Sequence, residues 1–194
     1  MKDMEEKETA NKQESKTIDK GLFRTVLFFM SLLFIVFVLR TFVITPYQVP
    51  SGSMEDTIST GDMVIAEKIS LNFREFEHGD IIVFKDPENY DRILVKRVIA
   101  TEGQTVDLRN GSVYVDENKL EEDYIKAGTS SYPLFDTLQE IEYPLVVPDD
   151  CVWVMGDNRN NSKDSRYFGV VNINSIVGCV FVKYWPIEHF GFLI

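Results

Sequence analysis

The sequence predicts an all-β, mostly antiparallel domain carried on a single N-terminal transmembrane helix. One observation behind this prediction is an apolar stretch over residues 22–44. The other is the pattern beyond it, where short runs of β-branched and aromatic residues are separated by Gly, Asn, Asp and Pro. No long amphipathic helix pattern interrupts these runs. Residues 45–194 are numerous enough to fold as one domain with its own core.

The N-terminal residues 1–21 are predicted to be a disordered cytoplasmic tail. They are rich in Lys, Glu and Asn and contain no aromatic side chain, so they cannot bury a core. Five lysines and Arg24 lie before the centre of the apolar stretch. Because positive charge is retained on the cytoplasmic side, we expect residues 45–194 to lie on the far side of the membrane.

The apolar stretch 22–44 is predicted to be an uncleaved membrane anchor. Its charged residues Arg24 and Arg40 lie near its ends, where long side chains reach the lipid headgroups. A soluble core helix would carry a polar stripe, which this stretch lacks. A cleavable signal peptide would end in a small-x-small site, whereas residues 40–44 read Arg-Thr-Phe-Val-Ile.

The remaining chain is predicted to form short antiparallel strands. Asn110-Gly111 between two apolar runs is a strong hairpin signal. The segment 104–147 is expected to contain this hairpin followed by an irregular excursion, most of it over residues 127–147. The predicted strands cover residues 63–66, 80–84, 93–99, 106–108, 112–115, 152–155 and 177–184.

Charge and cysteine usage exclude several classes of function. The formal net charge is −11, and an acidic domain without a basic face does not bind nucleic acid. Cys151 and Cys179 lie in separate apolar runs, so we expect buried free thiols. Two scattered cysteines and two distant histidines give no metal-ligand spacing, and we predict neither a metal nor a cofactor.

Residues 50–54, Pro-Ser-Gly-Ser-Met, contain a candidate nucleophile, Ser53. Pro, Ser and Gly are turn formers, and this pentapeptide alone is typical of a solvated turn. A serine hydroxyl becomes a nucleophile only when a base accepts its proton. The interpretation of Ser53 as a nucleophile therefore depends on whether the rest of the chain supplies a base.

Two lysines are candidates for that base. His78 lies in a turn and His189 close to the C-terminus, so neither suggests a Ser-His-Asp arrangement. Lys96 and Lys183 each lie within an apolar strand pattern, where burial can lower a lysine pKa towards neutrality. Arg97 cannot serve because a guanidinium stays charged. The residue pattern alone leaves Lys96 and Lys183 both open.

A dense polar run over residues 156–166, Gly-Asp-Asn-Arg-Asn-Asn-Ser-Lys-Asp-Ser-Arg, lies between two apolar strands. Runs of mixed charge are usually solvated loops. Because this one is flanked by buried strands, it also fits a partly buried polar network that holds a site in place.

Taken together, these motifs resemble bacterial type I signal peptidases, membrane-anchored proteases with a Ser-Lys dyad. The resemblance covers the anchor and nearly the whole of residues 45–194, in the order of the family. The segments that carry it are residues 50–54, 61–68, 79–84, 95–98 (Val-Lys-Arg-Val) and 156–169, of which the last is the longest and most specific.

The resemblance implies a role for each matching residue. Ser53 would attack the scissile carbonyl and Lys96, rather than Lys183, would accept its proton. The Ser51 hydroxyl and the Ser53 backbone N–H would stabilise the oxyanion, and Ser162 would hydrogen-bond the lysine. A covalent acyl-enzyme would form at Ser53 and be hydrolysed by water that Lys96 activates. The residues expected to brace this region are Asp157, Asp164 and Arg166.

The same resemblance implies a substrate class and a location. The substrates would be secretory preproteins with small residues at the first and third positions before the cut, bound by shallow pockets lined by Val49 and Val95. The protein would be a single-pass cell-membrane protein in contact with the lipid bilayer, to which aromatic residues near the C-terminus, including Trp185, would contribute. Two positions depart from the family: Asp56 replaces a common proline and Ile58 a common leucine.

Two alternatives remain beside the peptidase. One is an inactive relative, a membrane-tethered β domain that binds partners without catalysis; the joint presence of Ser53, Lys96 and Ser162 favours the enzyme. The other is the related group of self-cleaving Ser-Lys repressors. The anchor, the 156–169 block and the lack of a DNA-binding segment argue against this second alternative.

Overall fold

A computed structural model describes residues 2–193, with the backbone alone described for residues 2–19 and 72. The chain divides into two compact units, Met1–Phe42 and Val43–Ile194. The first unit consists of helix and the second contains all of the β-structure.

Helix α1 spans Lys2–Val38 and continues as a π-helical turn over Leu39–Val43. Within it, Lys20–Val43 has a mean hydropathy of 2.6 and is long and apolar enough to cross a membrane. Its apolar side chains are exposed, as expected for residues whose solvent is lipid. The sequence-based anchor included Ile44, but the structure assigns Ile44 to the first strand, where its backbone pairs with Glu67.

The N-terminal tail differs from the sequence-based expectation. Composition predicted disorder over residues 1–21, whereas α1 already begins at Lys2. The physical reason is that Lys, Glu, Gln and Ala are good helix formers, and a helix propagates more easily than it nucleates. The apolar segment supplies the nucleus from which the helix extends into the tail. Met1 lies outside the described residues.

The second unit contains twelve strands among the described residues. They are Ile44–Gln48 (β1), Met63–Glu67 (β2), Ile81–Lys85 (β3), Ile93–Thr101 (β4), Thr105–Arg109 (β5), Ser112–Val115 (β6), Asn118–Lys119 (β7), Leu145–Val146 (β8), Cys151–Met155 (β9), Val171–Asn172 (β10), Ile176–Trp185 (β11) and Gly191–Phe192 (β12). The only α-helices described in this unit are the four-residue α2 (Ser70–Phe73) and α3 (Ser165–Phe168).

The strands form two antiparallel sheets, which confirms the predicted fold class. The larger sheet has the order β1-β2-β11-β3-β4-β9-β10, with β12 paired to β11. The smaller sheet has the order β7-β6-β5-β8. Each strand predicted from the sequence is present. Most of the strands that the sequence pattern missed are only two residues long, which is too short to show the alternation of side chains typical of a strand.

The smaller sheet is built on the predicted hairpin. Asn110 and Gly111 have φ values of 51° and 77°, the left-handed conformation that a two-residue turn between antiparallel strands requires. Strands β5 and β6 then pair Leu108 with Val113 and Val106 with Val115. These four apolar side chains join Trp153 in one core cluster, so the smaller sheet packs on β9 of the larger one.

The irregular excursion predicted over residues 127–147 lacks regular structure up to β8. Two hydrogen bonds nevertheless connect it to α3. Leu138 N donates to Tyr167 O at 2.9 Å, and Gln139 Nε2 donates to Phe168 O at 2.9 Å. Strand β4 lies between β3 and β9 near the centre of the larger sheet and positions the candidate site.

Candidate active site

Ser53 lies in a single 3-10 turn, Gly52–Met54, which we call the Ser53 turn. The following residue, Met54, is fully buried and packs in a core cluster with Val49 and Ile58. This apolar anchor fixes the turn, because removing a buried Met side chain from water is worth about 1.5–3 kcal/mol. Ser53 itself is 8% exposed, so its hydroxyl lies at the edge of the core.

Lys96 is the side chain that contacts the Ser53 hydroxyl. It projects from β4, is 3% exposed, and its Nζ donates to Ser53 Oγ at 2.7 Å. The same Nζ donates to the carbonyl of Val95 at 2.9 Å. The two residues are separated by 43 positions and are brought together because the Ser53 turn packs against β4.

Burial lowers the pKa of Lys96 from 10.5 to about 8. The carboxylates of Asp164, Asp157 and Asp86 act in the opposite direction, because negative charge favours the protonated amine. Desolvation is the larger effect, so a substantial fraction of Lys96 is neutral near pH 8 and can accept a proton from Ser53.

The other candidate bases contact different groups. Lys183 Nζ donates to the carbonyl of Thr57 at 2.8 Å and lies 3.9 Å from Asp62. His189 Nδ1 is 2.6 Å from Asp62 Oδ1, and His78 Nδ1 is 3.0 Å from the carbonyl of Ile99. Of the two lysines that the residue pattern left open, the structure brings only Lys96 to the Ser53 hydroxyl.

Ser51 lies on the exposed side of the Ser53 turn. Its Oγ is 3.4 Å from Ser53 Oγ, and Ser51 is exposed. A hydroxyl rotates freely about its C–O bond, so Ser51 Oγ can direct its proton towards a group bound at Ser53. The structure therefore brings Ser51 within reach of the reacting position.

Ser162 is half-buried beside the site, with its Oγ buried, but it does not make the hydrogen bond to Lys96 that the resemblance implies. Its Oγ has no hydrogen-bond partner among the described residues, although its proximity helps to lower the pKa of Asp164. A Cβ added to Gly156 would lie 2.3 Å from Ser162 Oγ and 2.4 Å from the carbonyl of Ser53. The position of Ser162 thus requires glycine at 156.

Asp157 joins the polar loop, residues 156–166, to the strand that carries Lys96. Arg97 Nε and Nη2 donate to its two carboxylate oxygens at 2.9 and 2.7 Å. Thr57 Oγ1 donates to the same carboxylate, and Asp157 is 1% exposed. A buried ion pair of this geometry is compensated because both of its charges are fully hydrogen-bonded.

Asp164 and Arg166 form a second buried ion pair in the polar loop. Arg166 Nε donates to Asp164 Oδ1 at 2.9 Å, and Arg166 Nη2 donates to the carbonyl of Arg159 at 2.8 Å. Asp164 also accepts from the backbone N–H of Gly156 at 3.0 Å. Burial alone would raise the pKa of Asp164, but the adjacent guanidinium and these hydrogen bonds lower it.

Asn158 is a contact that the sequence analysis did not single out. Its side-chain Nδ2 donates to the carbonyl of Gly52 at 3.0 Å, and its backbone N–H donates to the carbonyl of Ser53 at 3.1 Å. These two bonds hold the Ser53 turn against the polar loop across 106 residues of sequence. Residues 156–158, Gly-Asp-Asn, predicted only a turn, because the neighbouring sequence does not indicate a hydrogen-bond partner 106 residues away.

A cavity of about 390 Å³ opens beside Ser53 and Lys96. Val49 and Val95, the two predicted pocket residues, both line it, and both are largely buried. Ser51, named above as an oxyanion donor, also lines it, whereas the sequence analysis missed the lining residues Pro50, Arg92, Ile93 and Leu94. The cavity is an open groove with an apolar floor, typical of a site that takes a small aliphatic side chain.

The two positions that depart from the family differ in their surroundings. Asp56 is exposed in the turn after Met54, and the peptide bond that precedes it is cis. Ile58 is fully buried in the core cluster beneath the Ser53 turn, so it supplies the apolar contact expected at that position. Among the side chains that the structure describes, residues 20–71 and 73–193, no group of three or more His, Cys, Asp or Glu could hold a metal ion.

Comparison with known proteins gives consistent matches. Residues 22–185 match the family described as signal peptidase, peptidase S26. A probable signal peptidase I-1 from Synechocystis is 40% identical over 172 residues, covering 84% of this chain and 82% of that protein. Signal peptidase I from Bacillus caldolyticus is 38% identical over 165 residues, covering 81% and 88%. A signal peptidase I structure from Enterococcus faecalis matches 55% of this chain and 97% of its own, with 32% identity and a TM-score of 0.44.

Proposed function

Because the chain belongs to the signal peptidase family, peptidase S26, we propose that Ser53 and Lys96 form its catalytic dyad. The chain is a serine endopeptidase that cleaves signal peptides from secreted preproteins through a Ser-Lys mechanism. The observation that carries the residue assignment is the 2.7 Å contact between Ser53 Oγ and the buried Lys96 Nζ, whose pKa is lowered to about 8.

In the first step, neutral Lys96 accepts the proton of the Ser53 hydroxyl while Oγ attacks the scissile carbonyl carbon. The amine is already within hydrogen-bond distance of Oγ, so no large movement precedes proton transfer. Arg97, the next residue on β4, forms an ion pair with Asp157. Because its guanidinium stays charged, Arg97 cannot accept the proton, and Lys96 is the base. The protonated lysine then donates to the leaving amine, and the acyl group remains on Ser53.

The negative charge on the carbonyl oxygen needs donors during this step. The Ser53 backbone N–H and the Ser51 hydroxyl are the pair that we assign to it, supported by the 3.4 Å separation of the two hydroxyl oxygens. Water then replaces the leaving peptide, gives its proton to Lys96, and hydrolyses the acyl-enzyme. Lys96 returns this proton to Ser53 Oγ as the ester bond breaks, which restores both the serine hydroxyl and the neutral amine, so both halves of the reaction use the same base.

The groove beside the dyad supports the expected substrate class. Val49 and Val95 form its floor next to Ser53, and both side chains are largely buried. A side chain larger than alanine at the first position before the cut would meet buried atoms that are themselves close-packed. We therefore assign selection for small residues at the first and third positions to Val49 and Val95.

The apolar helix supports a membrane location. A single span at Lys20–Val43 fits a membrane anchor. We propose that residues preceding it remain in the cytoplasm, because four lysines precede the span and Lys20 and Arg24 lie at its start, and that Val43–Ile194 acts at the outer face of the membrane. The substrates emerge at that face, still attached to the membrane by their signal peptides.

A C-terminal apolar patch, formed by Trp185, Ile187, Phe190 and Phe192, supports contact with the bilayer surface. These four side chains are 52%, 69%, 58% and 67% exposed. Trp and other aromatic residues favour the interface between lipid and water. We propose that the patch contacts lipid headgroups and the upper acyl chains.

The test uses the full chain purified in detergent and a preprotein with alanine at the first and third positions before the cut. The expected product begins at the residue after that site, as read by N-terminal sequencing. Ser53→Ala should yield no product while keeping the wild-type melting temperature, because an isolated Ser→Ala change costs little stability. A well-folded Ser53→Ala protein that cuts at the wild-type rate would remove Ser53 from the mechanism.

A further inference from the structure

The Ser53 turn depends on the polar loop for its position. Asn158 holds the carbonyls of Gly52 and Ser53, as described above. The two neighbours of Asn158 in sequence are both buried ions: Asp157 is 1% and Arg159 2% exposed. Whatever fixes these two side chains therefore also fixes the hydrogen bonds to the Ser53 turn.

Each of the two ions is bound by a group from a different part of the fold. Asp157 is bound by Arg97 on β4. Arg159 is bound by Glu122 through both terminal nitrogens and by Ser131 Oγ at 2.6 Å. Glu122 and Ser131 belong to residues 120–131, which we call the Tyr124 segment and for which the sequence indicated no role.

The Tyr124 ring lies close to both guanidinium groups. The Arg97 Cζ is 4.0 Å from the centroid of the tyrosine ring, and the Arg159 Cζ is 6.0 Å from it. Aromatic faces attract cations, and the attraction grows when the pair is shielded from water. The ring therefore lies close to an arginine of the strand that carries Lys96 and to an arginine of the loop that holds the Ser53 turn.

The phenol group of Tyr124 is fixed as well. Its hydroxyl donates to Glu122 Oε1 at 3.0 Å. Burial, reinforced by the Glu122 carboxylate, raises the pKa of Tyr124, so the phenol keeps the proton that it donates. The segment is anchored at both ends on the β5–β6 hairpin, since Leu120 N donates to Val113 O and Ser131 N donates to Gly111 O.

We propose that Tyr124 is a positioning residue for the peptidase reaction, which holds Arg97 and Arg159 so that Lys96 and Ser53 stay in register. This inference rests on the proposed function of the Ser53–Lys96 pair. It gives the smaller sheet a purpose in catalysis, because this sheet presents the Tyr124 segment to the polar loop. Tyr124 acts through Arg97, Asp157 and Asn158 and touches no reacting atom.

The inference predicts a specific change in the pH dependence. Arg97 neutralises Asp157, whose free charge raises the pKa of Lys96. If the ring is lost, Arg97 is less firmly held, Asp157 is less neutralised, and water gains access to the site. Both effects raise the pKa of Lys96, so the pH at which activity develops should move upward. A merely structural role would lower the amount of folded enzyme and leave this midpoint unchanged.

The experiment compares Tyr124→Leu and Tyr124→Phe in the full chain, with kcat, KM and the pH midpoint of kcat/KM measured on the same preprotein. We expect Tyr124→Leu to lower kcat about tenfold, with KM changed less than about twofold, because the loss falls on alignment rather than on binding. Its midpoint should rise by about half a pH unit or more. Tyr124→Phe keeps the aromatic face and should retain kcat within about threefold.

The matched control is Tyr114→Leu. Tyr114 lies on β6 of the smaller sheet and stacks on a guanidinium at a similar distance, 4.1 Å from Arg109 Cζ to the ring centroid, and Arg109 belongs to β5 rather than to the polar loop. It should leave kcat and the midpoint unchanged. If Tyr124→Leu does not fold, Glu122→Gln tests the inference instead. This change keeps the shape of the side chain but removes the charge that binds Arg159, so we expect a lower kcat.

Several results would overturn the inference. They are a folded Tyr124→Leu with wild-type kcat and midpoint, a Tyr124→Phe as impaired as Tyr124→Leu, a Tyr114→Leu impaired in the same way, or an unchanged Glu122→Gln when Tyr124→Leu is unfolded. Wild type and Ser53→Ala are assayed in parallel. Failure of the wild type to cut, or cutting by Ser53→Ala, would instead refute the proposed function.

Discussion

At the scale of single residues, the proposed mechanism depends on one buried amine, that of Lys96. Lys96 is surrounded by three carboxylates that favour its charge, yet burial lowers its pKa to about 8. The folded pKa lies below the unfolded value of 10.5, so folding is opposed by the charged form. This cost is complete below about pH 8, decreases as pH rises from 8 to 10.5, and vanishes above that range.

Replacing Lys96 by methionine should abolish cleavage and stabilise the fold at pH 7. Each pKa unit corresponds to about 1.4 kcal/mol, so relief of the desolvation cost should add about 3 kcal/mol or less to the free energy of unfolding. The advantage should shrink between pH 8 and 10. Lys96→Arg should be inactive and less stable than wild type, increasingly so above pH 8, because its guanidinium cannot lose the charge.

Urea unfolding at pH 7 and 9.5, alongside a cleavage assay, measures both effects. Lys183→Met is the matched control, since Lys183 is also partly buried but contacts Thr57 instead of Ser53. It should retain most of the activity. An active Lys96→Arg, or a Lys96→Met that unfolds far more easily than wild type at pH 7, would mark Lys96 as a charged structural residue.

Ser51 is the second residue whose role is open to a direct test. Ser51→Ala should lower kcat by roughly 10²–10³-fold, the range for loss of one oxyanion donor. KM should change little, because the hydrogen bond strengthens mainly in the transition state. Steady-state kinetics separate the two constants. A defect confined to KM would make Ser51 a substrate-binding residue instead.

Some residues of the site could not be identified from the residue pattern alone. The strand pattern narrowed the base to Lys96 or Lys183 but did not choose, because the choice depends on which strand packs against the Ser53 turn. The family resemblance chose Lys96, and Lys96 is the lysine that contacts Ser53. Asn158 and Tyr124 could not be found, since their partners are distant in sequence and no periodicity relates them.

At the scale of elements, β4 combines two tasks because successive side chains point to opposite faces. Lys96 points to Ser53, while Val95 joins the core cluster beneath the groove with Val49. Strands with apolar alternation and the Asn110-Gly111 hairpin were predictable from the sequence for this reason. The irregular excursion was not, because its position is set by long-range hydrogen bonds to Tyr167 and Phe168.

Val95→Ala should widen the groove and relax specificity. Removing two methyl groups from a side chain that is 9% exposed leaves space that the packed core refills only in part. Preproteins with valine or leucine at the first or third position before the cut should then be processed, at a rate measurable by gel electrophoresis. Val177→Ala, which alters the same cluster away from the groove, serves as control. Continued rejection of every larger residue would remove Val95 from the pocket.

At the scale of the whole molecule, the chain consists of an apolar helix and a β unit, Val43–Ile194. The sequence predicted both parts, because a long apolar run and short alternating strands have distinct signatures. It did not predict the helical N-terminal tail, where composition favoured disorder. The exposed C-terminal apolar patch belongs to the β unit and is the surface that we propose for lipid contact.

Fluorescence of Trp185 tests this surface. The protein has two tryptophans, and Trp153 is fully buried, so a spectral change reports on Trp185. Residues 43–194, prepared without the anchor, should show a blue shift when anionic lipid vesicles are added, because the indole ring leaves water. Trp185→Phe should show no shift. An unchanged wild-type spectrum at saturating lipid would argue against contact between the patch and the bilayer.

Lys96 must be neutral when it activates Ser53, and the titration of its own amine measures this directly in the wild-type protein. Lysine labelled with ¹³C at Cε is introduced, the Lys96 resonance is assigned with Lys96→Met, and its chemical shift is followed by NMR from pH 6 to 11 in the absence of substrate. We expect a midpoint of about 8, coincident with the rise of kcat/KM. A Lys96 that titrates near its ordinary value of 10.5, while activity develops near pH 8, would contradict this expectation.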